Sequence, residues 1–366
     1  MRPAYGLMSL AVHPLHKKKH AALDLIREFE RRAAADGVPV RALLPFQIEF
    51  YHHMGYGCGS RFDEYRFPTL NLPLDPDAQE GREFELRLLG LDAVPEMLDC
   101  YTRYAERNHG AFCKFSEEER IMASDVEAHR LGCYEPLLMN PVKKQLTGYL
   151  TYHIEPDNDV NYTRNTLVVD ELIYQDGAVL RQLLSFLRKQ ADLAVTCVIR
   201  SGEEDFYHLL EDPTDTSGNY INFGYLQTNI SAVGNMYKVD PELLIRQTPY
   251  RKLAVDTLTC RFCYRAALEK EDRSFTVAFR DGTWSLVSDE TAADNTAADN
   301  TAATDNPAAD VTVTLAQGNL SSVLLGACRL SSLVRLGAAS ISDKAYTDRL
   351  SRLLACEQKP FSNNDY

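Results

Sequence analysis

Three consecutive lysines, Lys17, Lys18 and Lys19, form the most chemically suggestive feature of the sequence. An apolar run at residues 7–12 precedes them, and apolar residues recur at steps of three or four across residues 21–35. This pattern predicts a strand, a basic loop and an amphipathic helix. A cationic loop at a helix N-terminus suits pyrophosphate, because free N–H groups and the positive end of the helix dipole face the anion. A merely solvated basic turn is the alternative interpretation.

A second candidate for chemistry is the aromatic turn that follows a predicted strand at residues 38–46. It contains Tyr51 and continues as Met54-Gly55-Tyr56-Gly57. A tyrosine has an ordinary pKa near 10, close enough to that of a thiol to protonate a leaving thiolate. The sequence alone leaves two interpretations of Tyr51 open, a packed aromatic side chain and a general acid.

Together these segments resemble the GNAT acyltransferase pattern, and more narrowly the enhanced intracellular survival (Eis) type of aminoglycoside and protein N-acetyltransferase. The matching segments are Val12-His13-Pro14 with Lys17-Lys18-Lys19, and Pro45-Phe46 with Phe50-Tyr51-His52-His53-Met54-Gly55-Tyr56-Gly57. The resemblance implies an α/β (α+β) fold with tandem GNAT-like acetyltransferase domains, the first one incomplete, followed by a sterol carrier protein-like α+β domain. It also implies an N-terminally truncated first domain, because the family has further strands and helices ahead of the cofactor strand.

The resemblance implies that acetyl-CoA is the co-substrate, and it suggests which residues bind it. The backbone of Leu10 and Val12 would contact the pantetheine arm. The pyrophosphate would contact the loop that contains Lys17, Lys18, Lys19, His20 and Ala22. Lysines stand where the family usually has arginines. They keep the positive charge, but a lysine cannot donate the two parallel hydrogen bonds that an arginine guanidinium donates to a phosphate. His20 occupies the position of a loop glycine. Two effects of its side chain stay open: it crowds the phosphates, or its imidazole contributes charge to the site.

The resemblance also assigns the proton transfers. Tyr51 would be the acid, and the terminal carboxylate of Tyr366 would accept the proton of the amine. Asp365 would help to hold a cationic substrate. A disordered terminus is the ordinary interpretation of such a tail.

The chain is long enough for several domains, and we expect three. Residues 1–77 would form a partial GNAT domain with the CoA loop. Residues 78–249 would form a second GNAT-like domain without a CoA site, because Asp176 brings a carboxylate to the N-terminus of its helix. Residues 250–366 would form the sterol carrier protein-like domain, with a disordered insertion at 290–310 where Thr-Ala-Ala-Asp-Asn repeats.

Charge and composition indicate which classes of partner the chain is expected to bind. The net charge of −13 disfavours nucleic acid and favours cationic partners. No apolar run is long enough for a membrane span, and the cysteines are too scattered for a disulfide framework. The first residues lack the layout of a signal peptide, because their lysines follow the apolar run instead of preceding it. We therefore expect a cytoplasmic protein. Cys260 and Cys263 form the single C-x-x-C, and a strand would point them to opposite faces, so no metal site is expected.

The sequence therefore predicts an N-acetyltransferase that moves an acetyl group from acetyl-CoA to a primary amine of an aminoglycoside, a polyamine or a lysine-containing peptide. By resemblance it would be a homo-oligomer, a hexamer. The alternative is a non-catalytic scaffold or lipid-carrier-like protein in which truncation and His20 have removed the CoA site.

Overall fold

The structure is a computed structural model that describes most of the chain. The described residues are 3–74, 85–88, 90–129, 136–140, 145–158, 160–161, 164–214, 220–221, 224–225, 229–248, 254–287 and 309–362. Most of the predicted insertion at 290–310 lies outside these residues, and so do Asp365 and Tyr366.

Strands and helices alternate along the chain. The strands are β1 Ala4–Leu7, β2 Val40–Leu43, β3 Gly57–Cys58, β4 Arg61–Pro68, β5 Glu85–Leu88, β6 Pro136–Asn140, β7 Gln145–Pro156, β8 Asn165–Tyr174, β9 Thr196–Ser201, β10 Tyr220–Ile221, β11 Gly224–Tyr225, β12 Asn229–Val233, β13 Met236–Val239, β14 Leu258–Arg265, β15 Asp272–Arg280, β16 Thr283–Leu286, β17 Val311–Leu315 and β18 Ala339–Ile341. The helices are α1 Ala21–Ala35, α2 Ile48–His52, α3 Val94–Arg107, α4 Ser116–His129, α5 Gly177–Arg188, α6 Pro241–Gln247, α7 Gln317–Leu324, α8 Leu330–Arg335 and α9 Thr347–Leu354.

The described residues divide into two compact units. The first unit takes its residues from Met1–Ser60 and Val233–Pro360, and the second from Arg61–Ala232 and Phe361–Asn364. These units are divided differently from the expected domains at 1–77, 78–249 and 250–366. The three-domain division therefore stays a prediction about how the chain is organised.

The first unit contains a four-stranded sheet in the order β1-β2-β13-β3. β1 runs parallel to β2, with Leu7 opposite Leu43, while β13 pairs antiparallel with both β2 and β3. The strand predicted at residues 7–12 is therefore wrong, because the strand ends at Leu7. Pairing stops there because β2 itself ends at Leu43, just before Pro45.

Helix α1 spans 21–35, as its periodicity predicts, and packs on this sheet. Ile26 and Ala33 are its fully buried residues, as expected for one apolar face. The core beneath it also contains Leu43, Tyr51, Met54, Tyr56 and Met236. Both tyrosines of the aromatic turn thus lie in the hydrophobic core of the first unit.

A five-stranded sheet, in the order β16-β15-β14-β17-β18, forms the rest of the first unit's framework. Burial alternates along β14, so that Cys260 is buried and Cys263 is half-buried on the other face. The predicted separation of the two thiols is confirmed, and among the described residues no cluster of His, Cys, Asp and Glu could hold a metal ion. Helices α7, α8 and α9 contribute Leu320, Leu330 and Leu350 to the same core.

The second unit is built around a seven-stranded sheet in the order β12-β4-β9-β8-β7-β6-β5. The apolar face of α5 packs on this sheet through residues such as Val179 and Leu183. Asp176 is the N-cap of α5, and its Oδ1 accepts hydrogen bonds from the N–H groups of Ala178 at 2.9 Å and Val179 at 3.0 Å. A carboxylate therefore occupies the N-terminus of this helix, where a bound phosphate would otherwise sit.

Among the helices within the described ranges, none has the length and apolar composition that crossing a membrane requires.

Candidate active site

The basic loop reaches the N-terminus of α1 through a short turn. A 3₁₀ turn at Pro14–His16 leads into the loop, and Lys18 and His20 both adopt positive φ angles, of 62° and 61°. Left-handed backbone of this kind favours glycine, because a Cβ crowds the following carbonyl. The expectation that His20 stands where a glycine fits best therefore has a conformational basis.

The start of α1 presents free backbone donors. The first helical hydrogen bond runs from the N–H of Asp24 to the carbonyl oxygen of His20, at 3.0 Å. The N–H groups of Ala21, Ala22 and Leu23 precede it and have no intrahelical acceptor. The side chain of His20 makes no capping hydrogen bond to them. These donors remain available to an anion.

A cavity of about 530 Å³ opens beside this helix N-terminus. It is lined by Val12, His16, Lys17, Lys18, His20, Ala21, Ala22, Leu23, Arg27, Phe50, His53, Met54, Ala267, Leu268 and Lys270. We call it the loop cavity. Its lining contains four permanent cations, three histidines and no carboxylate. Such a lining favours a ligand that carries several negative charges.

The structure brings most of the expected cofactor residues to the loop cavity. Val12, Lys17, Lys18, His20 and Ala22 all line it. Leu10 and Lys19 do not belong to the lining, although they lie in the same segment of chain.

The loop cavity also contains residues that were not expected to bind the cofactor. Phe50, His53 and Met54 come from α2 and the turn after it, and the aromatic motif that holds them was a usable signal. Lys270 comes from the turn between β14 and β15, more than two hundred residues away along the chain. No local pattern could have linked Lys270 to the loop.

Tyr51 lies in α2, next to the wall of the loop cavity rather than in it. Its side chain is 3% exposed and packs edge-on against Phe50, which does line the cavity, with ring centroids 5.1 Å apart. Its ring also contacts Phe46 and Tyr56, at 5.7 and 6.1 Å. Burial raises the pKa of Tyr51, so its phenol keeps its proton at neutral pH.

Tyr56 anchors a buried group of charges around Glu30 of α1. Its hydroxyl donates a 2.7 Å hydrogen bond to Oε1 of Glu30. Arg41 Nε and Lys238 Nζ approach the two oxygens of the same carboxylate, at 3.3 and 3.7 Å. Burial and the neighbouring carboxylate hold the pKa of Tyr56 well above its usual value. Tyr56 is therefore occupied as a structural donor, which leaves Tyr51 as the phenol nearer the loop cavity.

Glycines of the aromatic turn allow α7 to approach closely. A Cβ on Gly57 would lie 1.9 Å from the carbonyl oxygen of Gly318, and a Cβ on Gly55 would lie 2.3 Å from Oε1 of Gln317. Ser322 adds a 2.7 Å hydrogen bond to the carbonyl oxygen of Cys58. The turn that contains Tyr51 and Met54 is thus fixed by direct backbone contact with the last third of the chain.

Comparison with family sequence patterns assigns three parts of the chain. Residues 2–59 and residues 118–227 each match an acetyltransferase (GNAT) domain, and residues 267–363 match a sterol carrier protein domain. No curated protein matches the sequence.

Solved structures share the fold of the whole chain. A GCN5-related N-acetyltransferase from Anabaena variabilis superposes with a TM-score of 0.74 at 14% identity, covering 100% of this chain and 82% of the other. A GCN5-related N-acetyltransferase from Kribbella flavida superposes with a TM-score of 0.69 at 18% identity, covering 100% of this chain and 80% of the other. Eis1 from Mycobacterium abscessus gives 0.72 at 17% identity, covering 100% and 83%. At these identities the likeness establishes the fold alone.

These findings confirm the predicted fold class, a mixed α/β fold with GNAT acetyltransferase domains and a C-terminal sterol carrier protein-like domain. They also confirm the prediction of an acyltransferase. GNAT acetyltransferases use acetyl-CoA and act on amines. The loop cavity, with its free N–H groups and its cations, fits the pyrophosphate of such a co-substrate.

Proposed function

We propose that the chain moves an acetyl group from acetyl-CoA to a primary amine of a cationic acceptor, as an Eis-like N-acetyltransferase does. The observation that supports this most is the loop cavity: four cations and the free N–H groups of a helix N-terminus converge there, and no carboxylate lines it. Bound acetyl-CoA supplies an activated acetyl thioester. The residues of the chain bind it, orient it and manage the protons.

Binding is the task of the loop and its neighbours. The N–H groups of Ala21 and Ala22 and the ammonium groups of Lys17 and Lys18 would receive the pyrophosphate. Lys270 adds charge from the β14–β15 turn. The pantetheine arm would follow Leu10 and Val12, where the chain beyond β1 is free of strand pairing to β2. This unpaired edge leaves backbone groups to bond an amide-rich arm.

Tyr51 is proposed as the group that protonates the leaving thiolate. Burial raises its pKa, so the proton is present at neutral pH. Its transfer to a thiolate whose conjugate acid has a pKa near 8.5 is uphill by at least about 2 kcal/mol, a modest part of a catalysed barrier.

The carboxylate of Tyr366 is proposed as the base that accepts the proton of the amine, and Asp365 as a contact for the cationic acceptor. Both residues lie outside the described part of the chain. Substitution therefore tests their assignment: removal of Tyr366 should lower turnover without changing the affinity for acetyl-CoA.

The acceptor is proposed to be an aminoglycoside, a polyamine or a lysine side chain. The net charge of −13 supports a cationic acceptor, because it attracts such molecules at a distance. By resemblance to the Eis type, we also propose a cytoplasmic homo-hexamer, and sedimentation that shows only monomer would contradict the oligomer.

The test is the release of CoA thiol, followed with a thiol-reactive dye while acetyl-CoA is mixed with a polyamine, an aminoglycoside or a lysine peptide. We expect release that depends on the acceptor. Tyr51→Phe should lower kcat by about 10²-fold or more and leave KM for acetyl-CoA little changed, because only proton delivery is lost. Leu25→Ala, which shortens an exposed side chain on α1, is the matched control and should keep full activity.

Equal activity of Tyr51→Phe and the unchanged chain would remove Tyr51 from the mechanism. Failure of every acceptor to stimulate thiol release would contradict the proposed reaction itself.

A further inference from the structure

A second cavity, of about 800 Å³, lies further along α1, toward the C-terminus of that helix, within the first unit. Its walls come from α1, β13, α6 and the β14–β15 turn. Arg27 and Leu268 line both this cavity and the loop cavity, so the two cavities are neighbours. We call it the inner cavity. Neither the proposed acetyl transfer nor the family matches give it a role.

The inner cavity has a buried charged end. The side chains of Arg41 and Lys238 are only 5% and 7% exposed, and both line the cavity. They share one carboxylate, that of Glu30, at 3.3 and 3.7 Å. Glu30 also accepts the hydrogen bond of Tyr56. Two buried cations against one carboxylate leave an excess of positive charge, which is costly away from water.

One of the two buried cations, Arg41, also keeps an unused hydrogen-bond donor. Nε of Arg41 has no hydrogen-bond acceptor among the described residues, because its approach to Glu30 is misaligned, and only Nη1 donates, to the carbonyl oxygen of Pro39 at 3.3 Å. Nζ of Lys238 lies 3.7 Å from Oε1 of Glu30, which is longer than an ordinary N–H···O hydrogen bond. Buried donors of this kind normally have a partner.

The other acidic residues of the lining are occupied elsewhere. Asp240 caps α6 by accepting from the N–H of Leu243 at 3.1 Å. Glu242 pairs with Arg246 at 3.8 Å, and Glu269 lies 4.0 Å from Arg273. Glu269 also attracts Lys238 from a longer distance, yet its side chain is 44% exposed and screened by water. Among the described residues that line the cavity, Glu30 is the one carboxylate within 4.0 Å of both buried cations.

We infer that the inner cavity binds a small dianion, inorganic phosphate or a dicarboxylate such as succinate, through Arg41 and Lys238. The anion accepts a hydrogen bond from Arg41 Nε and lies beside the ammonium group of Lys238, and one of its two negative charges offsets the single positive charge that Glu30 leaves over. Burial lowers the pKa of Lys238, and an anion beside the ammonium group opposes that lowering. The exposed guanidinium of Arg273 lies at the rim and attracts the anion from solvent.

Calorimetric titration of the whole chain with phosphate and, separately, with succinate tests this inference. We expect one site for at least one anion, and the arm that gives heat identifies which dianion fits. Lys238→Met should weaken binding by about tenfold or more, because a charge-assisted hydrogen bond to the ligand is lost. Glu30→Gln should strengthen binding, since it removes the one competing carboxylate. Lys189→Met, an exposed lysine of the second unit, is the control and should change nothing.

If Lys238→Met does not fold, Arg273→Gln at the exposed rim provides the second variant, with an expected weakening of about twofold to fivefold. A further titration with saturating acetyl-CoA present separates the two cavities: phosphate should still bind. Three results would overturn the inference. They are an absence of heat with either anion at about 10 mM, an anion affinity in both Arg273→Gln and Lys238→Met equal to that of the unchanged chain, and complete displacement of the anion by acetyl-CoA.

Discussion

Replacement of His20 by glycine should stabilise the first unit and strengthen acetyl-CoA binding. His20 has φ 61° and ψ 9°, a conformation that costs a side-chain-bearing residue about 1–2 kcal/mol. Glycine removes this cost but adds about 0.5–1 kcal/mol through the greater freedom of the unfolded chain. The expected net gain is therefore about 0.5–1 kcal/mol in the free energy of unfolding.

The assay uses the single tryptophan, Trp284, which is buried in the first unit. Its fluorescence during urea unfolding reports on that unit. His20→Ala is the matched variant, because it removes the imidazole but keeps a Cβ on the left-handed backbone. We expect His20→Gly to be more stable than His20→Ala by about 1 kcal/mol.

Acetyl-CoA affinity gives the second measurement on the same pair. His20 is exposed and lines the loop cavity, so both variants remove a side chain that crowds the phosphates. Both variants should bind acetyl-CoA more tightly than the unchanged chain does, and His20→Gly should bind it more tightly than His20→Ala. Equal stability of the two variants would refute the conformational argument, and weaker acetyl-CoA binding in both would show that the imidazole contributes charge rather than crowding.

Three further predictions concern the framework around the site. Gly57→Ala should lower the stability of the first unit by about 1–3 kcal/mol, because its Cβ would meet the carbonyl oxygen of Gly318 at 1.9 Å, and Trp284 fluorescence measures this. Gly177→Ala in the second unit, whose Cβ would meet only Nη1 of Arg181 at 3.8 Å, should lose nothing, as judged by circular dichroism. Burial lowers the pKa of Lys238, so between that pKa and 10.5 the unfolded chain binds more protons than the folded chain. The free energy of unfolding of the wild type, relative to that of Lys238→Met, should therefore rise with pH in this window. A difference in urea midpoints that does not change with pH would count against the buried ammonium group. Asp176→Ala should lower the free energy of unfolding by about 1 kcal/mol, because it removes the N-cap of α5, as judged by circular dichroism. Asp176→Asn should keep most of the wild-type stability, since its amide oxygen can still cap the helix. Equal losses in the two variants would contradict the capping role.

Local patterns predicted much of the fold. The helix at 21–35 has the predicted bounds, because the apolar periodicity that specifies it is contained within the segment. The N-cap of Asp176 follows in the same way from neighbouring residues. The predicted strand at 7–12 failed because a strand's length depends on its partner, and β2 is short.

The site was predictable only in part, for a similar reason. The loop residues Lys17, Lys18 and His20 are adjacent in sequence, and they meet in one cavity. Lys270 and the close approach of Gly318 to Gly57 depend on contacts between distant parts of the chain. The inner cavity, with Arg41 and Lys238 around Glu30, depends on the pairing of β13 with β2, which no local pattern signals.

The most direct test of the central claim is a calorimetric titration of acetyl-CoA into the unchanged chain and into a Lys18→Ala, Lys270→Ala double variant. The loop cavity predicts one acetyl-CoA site in the unchanged chain, and affinity that falls by about tenfold in the variant and declines with added salt. Absence of binding to the unchanged chain at about millimolar acetyl-CoA, or binding that the double variant leaves intact, would contradict the account.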